Sequence, residues 1–119
     1  MSYIKERIQS FGYAFNGLYS LFKETPNAQI HLIVVVVTIS LGFICEISGN
    51  EWLALIIALG FLISMEAMNT ALERLSDYAC HKEIHPVIKK VKDLAAAAVL
   101  IAALSVLTVG IIIFLPKIF

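Results

Sequence analysis

The stretch Trp52-Leu-Ala-Leu-Ile-Ile-Ala-Leu-Gly-Phe-Leu-Ile-Ser-Met-Glu66-Ala-Met-Asn69-Thr-Ala-Leu-Glu73 joins a very apolar run to a row of acids. It has the length of a helix that crosses a hydrocarbon core, which takes about 20 residues. At about 100° per residue, spacings of three and seven return to nearly the same side of a helix. Glu66, Asn69 and Glu73 therefore share a face, and Asp77 continues the row. A carboxylate at the centre of a membrane span costs about 3 kcal/mol on insertion scales. Two of them beside an amide need a compensating reason, and the pattern points to chemistry.

The rest of the composition agrees with a membrane setting. The 119 residues are 60% hydrophobic and only 15% charged, with a mean hydropathy of +0.87. In water such a chain would expose large apolar patches, so the class is an integral membrane protein of one domain, residues 1–119. Nine basic residues balance nine acidic ones, and no nucleic-acid partner is expected. Cys45 and Cys80 fall near opposite ends of the expected spans, which argues against an intrachain disulfide.

Around the acid row the chain reads as four helices. Over residues 3–23, Ile4, Ile8, Phe11, Phe15, Leu18 and Phe22 recur at intervals of four and three. That is the one-sided stripe of an amphipathic helix, and it predicts a helix lying in the membrane interface. Pro26 cannot continue that helix and restricts Thr25, so Glu24-Thr-Pro-Asn27 is a break. Residues 30–47 form a first span, and the Ser48–Glu51 turn leads to a second over about 52–72. A polar segment, 73–93, follows, and a third span runs from about 94 to 115, ending at Pro116. Small residues mark packing faces: Gly60, Ser64, Ala67 and Ala71 on the second span, and Ala95, Ala98 and Ala102 on the third. Three spans make a thin bundle, too small to shield several polar groups alone, so a homo-oligomer is expected.

Basic residues set the orientation. Lys5, Arg7 and Lys23 precede the first span, and Arg74, Lys82, Lys89, Lys90 and Lys92 lie between the second and third. The Ser48–Glu51 turn has none, and the tail has only Lys117. The N-terminus and segment 73–93 are therefore expected on the cytoplasmic side of a multi-pass inner-membrane protein. Glu73 and Asp77 then sit at the cytoplasmic mouth, with Glu66 about 10 Å deeper at 1.5 Å per residue.

Carboxylates at that edge suit a divalent cation, and a cation beside lysines suits a nucleotide. Glu73, Asp77, Lys92 and Asp93 supply the mixture. A deeper carboxylate such as Glu66 can accept a proton from an alcohol, and Asn69 can orient that base or a phosphate. Together these describe phosphoryl transfer to a lipid alcohol. The alternative is a small oligomer that conducts protons or cations along the buried acids. No Gly-x4-Gly-Lys-Ser/Thr loop and no glycine-rich kinase loop occurs, so phosphate handling is not of the soluble-kinase kind. Cys80, His81 and His85 lack a fourth ligand for zinc, and His31 reads as an interfacial side chain at the start of a span.

Glu66-Ala-Met-Asn69-Thr70-Ala71-Leu72-Glu73-x-x-x-Asp77, followed by Lys92-Asp93-Leu-Ala-Ala-Ala-Ala-Val99-Leu, resembles the signature of the prokaryotic diacylglycerol kinases, a family that includes undecaprenol kinases. The likeness extends through Tyr13-Ala-x-x-Gly17-Leu, Asn27-Ala-Gln-Ile-His31 and Glu83-x-His85-Pro, so it covers nearly the whole chain. It implies a homotrimer of subunits with a surface amphipathic helix and three spans, using ATP and Mg²⁺ on a lipid alcohol, diacylglycerol or undecaprenol. By resemblance Glu66 is the catalytic base, with Asn69 its polar neighbour, and Glu73 binds magnesium at the nucleotide. Tyr13, Glu83, His85, Lys92 and Asp93 correspond to nucleotide-contacting residues. The resemblance puts a second metal carboxylate at Thr25, so Glu24, one residue earlier, is the candidate ligand. Gln29 stands where the family commonly has arginine, and Ala97 where glycine is frequent.

Overall fold

Four helices account for most of the chain: α1 (Tyr3–Glu24), α2 (Pro26–Ile44), α3 (Gly49–Ala79) and α4 (Pro86–Ile118). The computed structural model describes residues 2–81 and 83–119, and no strand occurs among them. Lys82, counted above among the basic residues, lies outside the described residues. The protein is all-helical, and α2, α3 and α4 are each long and apolar enough to cross a membrane.

The corners follow from local chemistry. Thr25 alone separates α1 from α2, held extended at φ −116° and ψ 109° by the ring of the proline that follows. Pro26 then opens α2, where its missing N–H costs nothing. Gln29 donates through Nε2 to the carbonyls of Phe22 (3.0 Å) and Lys23 (3.4 Å), two groups left without partners where α1 ends. At the far end, Ile47 N–H reaches Gly42 O and Glu46 N–H reaches Phe43 O. This is a Schellman closure with Glu46 at φ 52°. Ser48 and Glu51 form a capping box at the start of α3, and Lys117 of α4 pairs with Glu51 at 3.1 Å.

α3 packs most extensively on α4. The core between them is Leu55, Ala58, Leu59 and Leu62 against Ala102, Val106, Ile113 and Phe114, with Ile47 closing the turn end. Lipid is as apolar as leucine, so close packing rather than escape from water holds these helices together. The alanine stripe of α4 serves that purpose, with Ala95 and Ala102 buried. The stripe of α3 is only partly covered within the subunit, at Ala67. Gly60, Ser64 and Ala71 are exposed, and nothing lies within 4 Å of where a Gly60 Cβ would be. On α1, Ile4, Ile8, Phe11 and Phe15 are also uncovered by protein, and Leu21 is its one buried side chain.

Hydropathy and helix bounds differ in instructive ways. Residues 73–79 continue α3 and 86–93 begin α4, so the polar segment is mostly helix with a short turn between. The 31 residues of α3 span about 46 Å, longer than a hydrocarbon core of about 30 Å. One rod therefore links membrane depth to the polar edge. α2 stops at Ile44 rather than 47, and α4 runs through Pro116 to Ile118. Pro116 leaves the Ile112 carbonyl without its helical donor, a cost confined to one bond because only Lys117 and Ile118 of the helix follow.

Gly42 is buried against the Trp52 ring, and a Cβ there would stand 2.6 Å from Trp52 Cη2. The ring is itself held against Phe43, with centroids 4.9 Å apart, so it cannot turn away freely. Gly42→Ala is expected to destabilise the protein by about 1–3 kcal/mol, as overpacking does. Denaturation in mixed micelles measures it, and an unchanged midpoint would contradict the contact.

Candidate active site

Glu66 is the most deeply buried ionisable group described, 2% exposed on the face of α3 that meets α2. Its Oε2 lies 3.2 Å from His31 Nδ1, on a side chain 19% exposed. His31 therefore points into the bundle rather than to the interface. One turn along α3, Asn69 (7% exposed) donates through Nδ2 to Glu73 Oε1 at 3.3 Å. Asn69 Oδ1 and the neighbouring Thr70 Oγ1 are buried with no hydrogen-bond partner. Leaving such atoms unpaired costs about 1–3 kcal/mol each, so the site is organised for a group it does not itself supply. The helical spacing brings Glu66, Asn69 and Glu73 together as the sequence indicates. His31 comes from a different helix.

A second constellation lies where α3 meets the start of α4. Lys92 Nζ donates to Asp77 Oδ1 at 2.8 Å, and Lys89 Nζ to Asp93 Oδ2 at 2.7 Å. Asp77, Glu83, His85, Lys89, Lys92 and Asp93 line a groove of about 360 Å³. His85 also caps α4, accepting from Val87 N–H at 3.2 Å through Nδ1. Glu73 and Asp77 both lie within electrostatic reach of the Lys92 ammonium, which joins this groove to the α3 acid row. Asp77 is thus salt-bridged rather than free.

Glu24 and Tyr13 stand apart from both. Glu24 accepts from Ser20 Oγ and from Arg74 Nη2 (3.4 Å), and Arg74 also reaches Ser20 Oγ at 3.3 Å. This clasp ties the end of α1 to α3 on the side of Ala67 and Ala71. Tyr13 lies on α1, 72% exposed. Among the described residues no three Asp, Glu, His or Cys side chains converge as a metal cage. That suits a cation bound by one or two carboxylates and completed by phosphate oxygens, the usual habit of Mg²⁺. Glu73, half-buried beside the unpaired Asn69 oxygen, fits such a role. Glu24 fits it only once Arg74 lets go.

His31, Ser20 and Arg74 are the residues that sequence reasoning did not assign to the site. His31 also forms one end of an apolar groove of about 590 Å³ between α2 and α4, with Val34, Thr38, Leu62 and Val106 in its wall. A buried carboxylate at membrane depth thus has a lysine-bearing groove on its polar side and an apolar groove running from His31 deeper into the bundle.

The family model for prokaryotic diacylglycerol kinase matches residues 12–114. An undecaprenol kinase of Bacillus subtilis is 35% identical over 109 residues, covering 92% of this chain and 88% of that one. A diacylglycerol kinase of Synechocystis is 32% identical over 107 residues, 90% of this chain and 61% of the relative. One from Pseudomonas aeruginosa is 28% identical over 106 residues, covering 89% and 85%. The chain belongs to the prokaryotic diacylglycerol kinase family, and it is a membrane lipid kinase.

Hydrogen bonding from Ser20, reinforced by the Arg74 guanidinium, holds the Glu24 carboxyl below its ordinary 4.5. A depressed acid stabilises the folded arrangement above its ordinary value and loses that contribution as pH falls through its lowered one. The α1–α3 clasp should accordingly loosen on acidification below about 4.5, and Arg74→Leu should weaken that dependence while the Ser20 bond remains. Hydrogen-exchange protection of the last turn of α1, corrected for the intrinsic exchange rate at each pH, reads this directly. A pH-independent protection factor in the parent would refute the clasp.

Proposed function

We propose that the protein transfers the γ-phosphoryl group of ATP to the primary hydroxyl of diacylglycerol or undecaprenol, at the cytoplasmic face of the inner membrane. The observation that carries the reading is a carboxylate 2% exposed that lies 3.2 Å from His31, the side chain at the end of an apolar groove. Glu66 takes the hydroxyl proton as the lipid oxygen attacks phosphorus, and the bond to the ADP leaving oxygen breaks. Apolar surroundings exclude water, so the hydroxyl meets a base with little competition from hydrolysis.

Mg²⁺, when bound with the nucleotide, supplies charge neutralisation for the phosphates. Glu73 would hold it, with Asn69 keeping that carboxylate in place, and Glu24 would be a second ligand once released from Arg74. Lys92 faces the phosphates and leaves Asp77 to do so. Glu83, His85 and Asp93 border the nucleotide from the α4 side, and Tyr13 on α1 covers it. The clasp between Arg74 and the end of α1 supports one cytoplasmic end that carries Lys5, Arg7, Lys23, Arg74, Lys89, Lys90 and Lys92. The uncovered small-residue stripe of α3 supports a homotrimer, with Gly60, Ser64 and Ala71 at the subunit contacts.

Purified protein in vesicles carrying either lipid, given γ-labelled ATP, tests the proposal. Label should enter the lipid, faster on one alcohol than the other, and a chelator should abolish it. No label on either lipid, together with proton flux through the same vesicles, would replace kinase chemistry at this site with conduction.

A further inference from the structure

His31 enters α2 just over a turn after Pro26, and its ring turns inward. Nδ1 lies 3.2 Å from Glu66 Oε2, yet among the described residues that buried nitrogen completes no hydrogen bond, so the pair stands one small ring rotation short of a bond. The same ring ends the apolar groove beside Val34, Thr38 and Leu62. One imidazole thus touches both the buried carboxylate and the compartment open to lipid.

We propose that His31 is a positioning residue for phosphoryl transfer: Nδ1–H donates to Glu66 Oε2 and fixes it, leaving Oε1 to receive the proton. The inference rests on the reading of Glu66 as base. A carboxylate free to rotate about its last bond presents no fixed oxygen to the substrate. A hydrogen bond to one oxygen stops that rotation and aims the other. Imidazole suits this because its neutral form still has a donor. In the step itself the lipid O–H proton passes to Glu66 Oε1. The lipid oxygen bonds to the γ-phosphorus, and the bond from that phosphorus to ADP breaks. His31 exchanges no proton.

The test compares His31→Asn, His31→Gln and His31→Leu in the full-length protein, with Glu66→Gln alongside. The Asn amide reaches the place of Nδ1, whereas the Gln amide reaches that of Nε2. His31→Leu is expected to lower kcat on the order of tenfold to a hundredfold, the scale of a misplaced catalytic group. KM for ATP should stay within about twofold, because the nucleotide groove does not include His31. His31→Asn should recover most of the rate and His31→Gln should not. A parental kcat in His31→Leu, or equal rates in the Asn and Gln variants, would overturn the proposal. If His31→Leu does not fold, the Asn and Gln comparison decides. Inactivity of Glu66→Gln with full activity of every His31 variant would sink this inference alone. Full activity of Glu66→Gln would sink the reading of Glu66 as base.

Discussion

Burying Glu66 in a span is the constraint on which the rest of the structure depends. A carboxylate removed from water must find donors, accept a proton or be expelled. Here the span cannot expel it, because Leu62 on the turn before is packed in the α3–α4 core. The imidazole beside it belongs to another helix, so α2 must lie against α3 at that depth. The corner at Thr25 and Pro26 sets where α2 begins, and with it the depth of His31. A backbone restriction in a one-residue linker thereby controls the surroundings of a carboxylate about 9 Å further along the helix.

The length of α3 gives that carboxylate its use. A helix that ended at the hydrocarbon boundary would separate Glu66 from the acids beyond it. Because the rod continues to Ala79, Glu66, Asn69, Glu73 and Asp77 stand on one stiff scaffold at successive depths. Close approach of α4 depends on Ala95 and Ala102, and it brings Lys92 to within 2.8 Å of Asp77. Dry chemistry and wet charge then meet within a few turns. The exposed charge pairs themselves contribute little stability. Their value lies in orienting side chains that a nucleotide can recruit.

Much of this was legible in the residues. Helix count, the break at Pro26 and the common face of Glu66, Asn69 and Glu73 follow from periodicity and from proline's geometry. The motif around Glu66 and that around Lys92 carried the family. The pairing of His31 with Glu66 was not legible, since contacts between helices are not written in the periodicity of either. One signal was available: counting back from the Cys45–Ser48 turn, His31 and Glu66 fall at depths about one turn apart. The Arg74–Glu24 clasp escaped for a similar reason, as both read as solvated edge charges. Hydropathy also cannot say that a polar segment is helical, so residues 73–79 and 86–93 read as a loop. The stripe of small residues on α3 reads as a packing face without saying for which partner, and Gly60, Ser64 and Ala71 are open on the subunit surface.

These features divide the acid row by depth, with proton transfer at Glu66 and charge management at Glu73 and beyond. Single-turnover transfer from labelled ATP to a lipid alcohol, in the parent and in Glu66→Gln, tests that division most directly. The predicted result is a fall in the transfer rate of about a hundredfold or more, the usual worth of a general base, with ATP binding unchanged. An undiminished transfer rate, or a loss traced wholly to ATP binding, would contradict it.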